Sequence, residues 1–212
     1  MKDMTTGSIT KNILFFSAPM LLGNVFQQLY NVVDSIIVGQ FIGKDALAAV
    51  GASFPVLFLI IALILGVTMG SMVLISQFFG AKDYKNFVRI VDKTYIFLFF
   101  MALLSTVVGV IFGEEILKLL KTPKDIMVEA EKYLYIMFIG MIPLFGYNGL
   151  SAVMRGVGDS KTPLYLLIIA SILNVILDLL FVVVFKWGVS GAAWATVISQ
   201  AFSFVAGVIY LY

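Results

Sequence analysis

Charge is distributed along this 212-residue chain in a way that leaves few folds open. Residues 12–43 contain one charged side chain, Asp34, and residues 162–185 contain one, Asp178. Residues 46–81, 94–113, 133–154 and 187–212 contain none. A helix crosses a bilayer's hydrocarbon core in about 20 apolar residues, so each of these runs is long enough to span it. Backbone groups in lipid must be bonded within the segment or in a closed barrel. Barrel strands alternate with period two, and runs such as Leu57–Leu65 do not alternate. Composition agrees: 61% of residues are hydrophobic and 12% charged, too few charges to coat a water-facing surface. The expected class is an all-α membrane protein with six transmembrane helices and the lipid bilayer as its first partner.

The expected spans are approximately 12–42, 47–79, 94–113, 133–154, 163–185 and 189–212, forming one unit over 1–212. Lys2 and Lys11 before Ile13–Phe26 imitate a signal peptide, but the apolar run continues to Ile42 without a small-x-small cleavage site, so it reads as the first span. Residues 114–132 mix both signs with Leu117, Leu119 and Leu120, and read as an amphipathic interfacial stretch. Six crossings put both termini on one side. That side holds Lys2, Lys11, Lys82, Lys85, Arg89, Lys93, Arg155 and Lys161, against Lys44, Lys118, Lys121, Lys124, Lys132 and Lys186 opposite. The small excess of positive charge favours cytoplasmic termini in the cytoplasmic membrane.

Several chemistries are excluded by residue type. With no Cys and no His, the chain has no disulfide, thiol nucleophile, histidine base or N/S zinc site. No nucleophile–base pair stands out, so no enzyme and no cofactor is expected. The net charge of +2 contains no basic block, and no nucleic-acid partner is expected. Gly39–Lys44 lacks the spacing and hydroxyl of a phosphate loop, and Gly156-Val-Gly158 reads as a turn.

That leaves Asp34 and Asp178, the two acids inside apolar runs. An ionised Asp at mid-span costs about 2.5–3.5 kcal/mol, so such residues face a bundle interior or a wet cavity and are functional by default. On the first span Asn24, Gln27, Asn31 and Asp34 fall within an arc of about 80°, with Tyr30 beside it. On the fifth, Ser171, Asn174 and Asp178 share one face. If these two stripes face each other, the carboxylates share a site suited to a proton, and their oxygens also suit a hard cation such as Na⁺. The residues alone do not choose between H⁺ and Na⁺.

The chain also resembles the multidrug and toxic compound extrusion (MATE) transporters over its whole length. The resemblance rests on Ala18-Pro19-Met20, Gln28-Leu-Tyr-Asn-Val-Val-Asp34, Met154-Arg-Gly-Val-Gly-Asp159 with Lys161-Thr-Pro163, Asn174-Val-Ile-Leu-Asp178 and Gly191-Ala-Ala-Trp-Ala-Thr196. It implies one six-helix lobe of a twelve-helix antiporter that exports cationic amphipathic organic compounds in exchange for H⁺ or Na⁺. It implies a cation site at Asp34, Asn174, Asp178 and Thr196, the last of which the helical-face argument does not find. It assigns Pro19 as a hinge on the first helix, in keeping with proline's kinking chemistry. Gln27, Tyr30 and Asn31 remain as the substrate-facing polar stripe, and no metal other than Na⁺ is expected. The length departs from the family's twelve spans, so the expected partner is a missing C-terminal lobe or a second copy of this chain. A lobe of a lipid-linked saccharide flippase and a non-transporting membrane assembly subunit are the alternatives. The flippase needs a cationic cavity, and no Lys or Arg lies within any of the runs.

Overall fold

In a computed structural model of the chain, residues 8–211 are described. Residues 1–7, with Lys2, and Tyr212 at the end of the last expected span lie outside them. The described residues are helical almost throughout, with no strand. In chain order the elements are α1 (Ile9–Phe41), α2 (Lys44–Gly80), α3 (Tyr84–Leu119), α4 (Lys124–Ile139), α5 (Met141–Gly156), α6 (Lys161–Asp178), a π-helical segment (Leu179–Val184) and α7 (Val189–Leu211).

Seven α-helices thus take the place of the six expected. The extra one comes from a bend of 51° between α4 and α5 at Gly140, which divides the run 133–154. Its cause is local. Pro143 has no N–H to donate to the carbonyl a turn earlier, and its ring crowds that carbonyl. Thr106 on α3 secures the bend by donating from its hydroxyl to the Phe138 carbonyl at 2.8 Å. Residues 114–132 are not a separate interfacial stretch: α3 continues to Leu119 and α4 starts at Lys124, separated only by a turn. Charged residues do not end a helix by themselves. A helix that clears the bilayer can go on in water with its charges solvated, as Glu114 and Lys118 do, paired at 2.6 Å while about half exposed.

α2 runs from Lys44 straight through Pro55, so that proline neither delays nor divides the helix. Among the described residues, four elements are long and apolar enough to cross a membrane: α2, α3, α6 with its π extension, and α7. The bent α4–α5 pair makes a fifth. α1, at 33 residues, has the length, but Asn24, Gln27, Gln28, Asn31 and Asp34 dilute its apolar middle.

Turns reverse the chain by αL-capped helix ends. Gly158, at φ 89°, lets the Asp159 N–H reach back to the Met154 carbonyl at 2.8 Å, confirming the turn expected at Gly156–Gly158. Asp159 then starts α6, its carboxylate accepting from the N–H groups of Lys161 and Thr162 and from the Thr162 hydroxyl.

Small residues decide which helices meet. A Cβ on Gly109 would run into the Phe138 ring, one on Gly140 into Val197, and one on Gly146 into Phe204. Gly23 of α1 lies beside Leu164 and Leu167 of α6, where a Cβ would make ordinary contact. Four apolar clusters result among the described residues, and two of them frame the site. One, built on Ile64, Leu98, Leu134, Met141 and Phe145, joins α2, α3, α4 and α5. The other, built on Ile37, Val38, Tyr133, Val182, Val189 and Ala193, closes one end of the α1–α6–α7 group.

Candidate functional site

α1 and α6 run side by side in the same direction, with Gly23 beside Leu167 and Asp34 beside Asp178. This parallel register brings the two mid-span acids together, close enough for each carboxyl group to feel the other. Asp178 is fully buried and Asp34 is 9% exposed. α7 returns antiparallel to α6, which sets Thr196 opposite Asn174. Thr196 Oγ1 accepts a hydrogen bond from the Tyr30 hydroxyl at 3.1 Å and a longer one from Asn174 Nδ2 at 3.5 Å.

Asp34, Asn174, Asp178 and Thr196 therefore occupy one buried site, with Tyr30 as a fifth member. Oδ1 of Asp34, both carboxylate oxygens of Asp178 and Oδ1 of Asn174 are buried and accept no hydrogen bond from any side chain or backbone group. Buried acceptors of this kind are costly unless something positive meets them. Four buried hard oxygens on adjacent side chains, with the Thr196 hydroxyl bonded to Asn174, fit a proton or a small hard cation. Thiolate and imidazole ligands for a softer metal are absent from the sequence.

Tyr133 on α4, 6% exposed, lies close enough to feel the charge of both carboxylates. The sequence reading does not single it out. Its only signal is a phenol at the start of an apolar run, and nothing local says that α4 approaches α1 and α6. Immediately after Asp178 the helix widens into the π segment, a departure that recurs at functional sites. The Trp187 N–H donates to the Phe181 carbonyl and its ring stacks on Phe181 at 4.8 Å between centroids, securing that segment.

The polar stripe of α1 divides. Tyr30 and Asp34 turn inward to α6 and α7, whereas Asn24, Gln27 and Asn31 stay exposed on the outside of the bundle. Asn31, with Ser35, Gln40 and Lys44, lines an open groove of about 540 Å³ between α1 and the start of α2. Ser171 is half-buried and bonds back to the Leu167 carbonyl. Pro19 stands inside α1, which continues through it, away from the carboxylates and toward the other end of that helix.

A bundle of helices long and apolar enough to cross a membrane, with a buried acid pair, points to a class: membrane transport proteins. Comparison with known proteins makes this specific. The chain matches the MatE family model over residues 19–180 and belongs to that family, whose members are transporters and not enzymes. It is 37% identical over 209 residues to the probable multidrug resistance protein YpnP of Bacillus subtilis, covering 99% of this chain and 47% of that protein. It superposes on the solved structures of a MATE transporter in the bent and in the straight conformation with TM-scores of 0.91 and 0.90, at 28% identity. Both alignments cover 97% of this chain and 46% of the other. The chain thus spans about half the length of the relatives it matches.

Proposed function

We propose that this lobe couples the inward movement of a small monovalent cation, H⁺ or Na⁺, to the export of cationic amphipathic compounds. The observation that carries the reading is the pair of interacting carboxylates, Asp34 and Asp178, buried at mid-span among acceptors with no donor. Burying two acids is expensive, and a site that alternately takes up and releases a positive charge gives that expense a use. Asn174, Thr196 and Tyr30 hold the carboxylates in place and supply further oxygens. The exposed face of α1, with Asn24, Gln27 and Asn31, is the substrate-facing wall, since amides at membrane depth must meet water or protein instead of lipid.

Coupling then follows from position. Asp34 and Asn31 are neighbours on one helix, so a cation that draws Asp34 toward α6 shifts the face that holds the exported compound. Pro19 gives α1 a place to flex, because a proline leaves one carbonyl of the helix without its usual donor. The other half of the cavity comes from a second lobe or a second copy of this chain. The termini face the cytoplasm in the cytoplasmic membrane.

The test is ethidium export from cells that lack their own pumps and express this chain, driven by an imposed H⁺ or Na⁺ gradient. Asp178→Asn and Asp34→Asn should each abolish the gradient-dependent part. Export that persists in both variants would overturn the coupling role. A binding readout that does not need transport is the fluorescence of Trp194, two residues before Thr196, in a Trp187→Phe background. It should respond to Na⁺ or to acid in the parent and not in Asp178→Asn.

A further inference from the structure

A line of buried polar side chains leaves the carboxylate site in one direction only. Toward the α6–α7 connection, the residues one to two turns beyond the site are Val38, Val182, Val189 and Ala192, all buried and apolar. Toward the α5–α6 turn the seam between α6 and α7 is polar. Thr196 is followed on the same side of α7 by Ser199 and Ser203, which are 3% and 2% exposed. By the antiparallel register that pairs Asn174 with Thr196 and Leu166 with Ser203, Ser199 stands level with Ser171. α5 then continues the line: Tyr147 donates to the Pro163 carbonyl at 3.1 Å, and Ser151 and Arg155 follow on its face, with the Arg155 Nε buried and unpaired.

Ser199 is the informative member. A hydroxyl in a membrane helix ordinarily satisfies itself by donating to the carbonyl one turn back. Ser53, Thr68 and Ser171 do so, at 3.0, 2.8 and 2.8 Å. Ser199 does not: its hydroxyl is buried and has no partner on its own helix or its neighbours. Ser203 also turns away from its own helix, donating across the seam to the Leu166 carbonyl at 3.3 Å. Gln200 adds a further buried, unpaired acceptor, Oε1. Buried polar groups with unused capacity, several in succession, are what a file of ordered water requires, since each water needs two to four polar partners. An apolar seam would have served packing better at every one of these positions.

We propose that the α6–α7 seam, from Thr196 past Ser199 and Ser203 to the Tyr147–Arg155 end of α5, is a water-filled column through which a small hydrated monovalent cation passes from the carboxylate pair to the cytoplasmic end of the lobe. This rests on the reading of Asp34 and Asp178 as the cation site and adds the route and its direction. The column opens at the end of the lobe that carries the α5–α6 turn, and the apolar cluster around Val38 seals the opposite end.

The chain has no cysteine, so single thiols can be placed at will. Ser199→Cys, Ser203→Cys and Val38→Cys are prepared in nanodiscs and reacted with Ag⁺, a hydrated monovalent cation that titrates thiols. Val38, fully buried one turn beyond Asp34, is the control. The two serine positions should react at least about tenfold faster than Val38→Cys. Equal rates at all three would overturn the column. A second arm compares Ser199→Val with Ser199→Thr, which add the same bulk and differ in the hydroxyl. Valine should slow the Trp194 response to Na⁺ or acid by about tenfold while leaving its midpoint in place, and threonine should not. Equal speed in both variants would likewise overturn the column. A cation response with slow thiols at 199 would remove the column and keep the cation site. Fast thiols with no cation response in the parent would remove the site and the cation's use of the route.

Discussion

The Tyr30 hydroxyl donates to Thr196 Oγ1 at 3.1 Å, joining the middle of the first helix to the last across 166 residues of chain. The bond sits directly beside the two carboxylates. It fixes the rotation of α1 that turns Asp34 inward.

Tyr30→Phe removes this donor and leaves the ring. An interhelical hydrogen bond within a membrane bundle contributes about 1 kcal/mol, so thermal stability in detergent should fall by that order. The larger effect should be on the site: the midpoint of the Trp194 response to Na⁺ or acid should move by about tenfold in concentration. An unchanged midpoint would mean that the bond serves packing alone.

Asp178→Asn should make the protein more stable and inactive at once. It replaces a fully buried carboxylate that faces another carboxylate with a neutral group of the same shape. Relief of a buried, poorly paired charge is commonly stabilising by about 1–4 kcal/mol. Thermal unfolding read beside ethidium export checks both parts. A destabilised variant would show that the charge is compensated by contacts with Asn174 and Thr196.

Gly109→Ala should cost about 1–3 kcal/mol, because the added methyl meets the Phe138 ring next to the α4–α5 bend. Phe138→Leu in the same chain should recover part of the loss by vacating that space. The two substitutions are therefore expected to be non-additive in thermal unfolding. Simple additivity would place the cost elsewhere.

Lys82→Gly is expected to stabilise the protein slightly. Lys82 holds φ at 56° at the end of α2, where its neighbour Asp83 donates from its N–H to the Phe78 carbonyl at 3.0 Å. A non-glycine residue in this conformation costs about 1 kcal/mol, and glycine adopts it freely. A small rise in the unfolding temperature checks this, and a fall would show that the lysine side chain has a role at the membrane surface.

Much of this molecule follows from local chemistry. Long runs without charge dictate helices in lipid, because the backbone has no other way to satisfy its hydrogen bonds there. The same runs isolate Asp34 and Asp178 as the acids that must serve some purpose. That Asn174 and Asp178 share a face also follows, since they lie one turn apart on a single helix. The bend at Gly140 was written there too, in Pro143, though the long apolar run concealed it.

What tertiary structure decided is which faces meet. A helix that is apolar nearly all round gives no sign of which side is inward. Asp34 meets Asp178 because α1 lies along α6 in parallel register, with Gly23 beside Leu164 and Leu167. Thr196 and Tyr133 join the site because α7 and α4 pack there, each brought from far along the chain. Asn24, Gln27 and Asn31, within one arc with Asp34, are left outside for the same reason. Periodicity is a property of one helix, whereas a site shared by four helices depends on contacts between small residues that no single segment encodes.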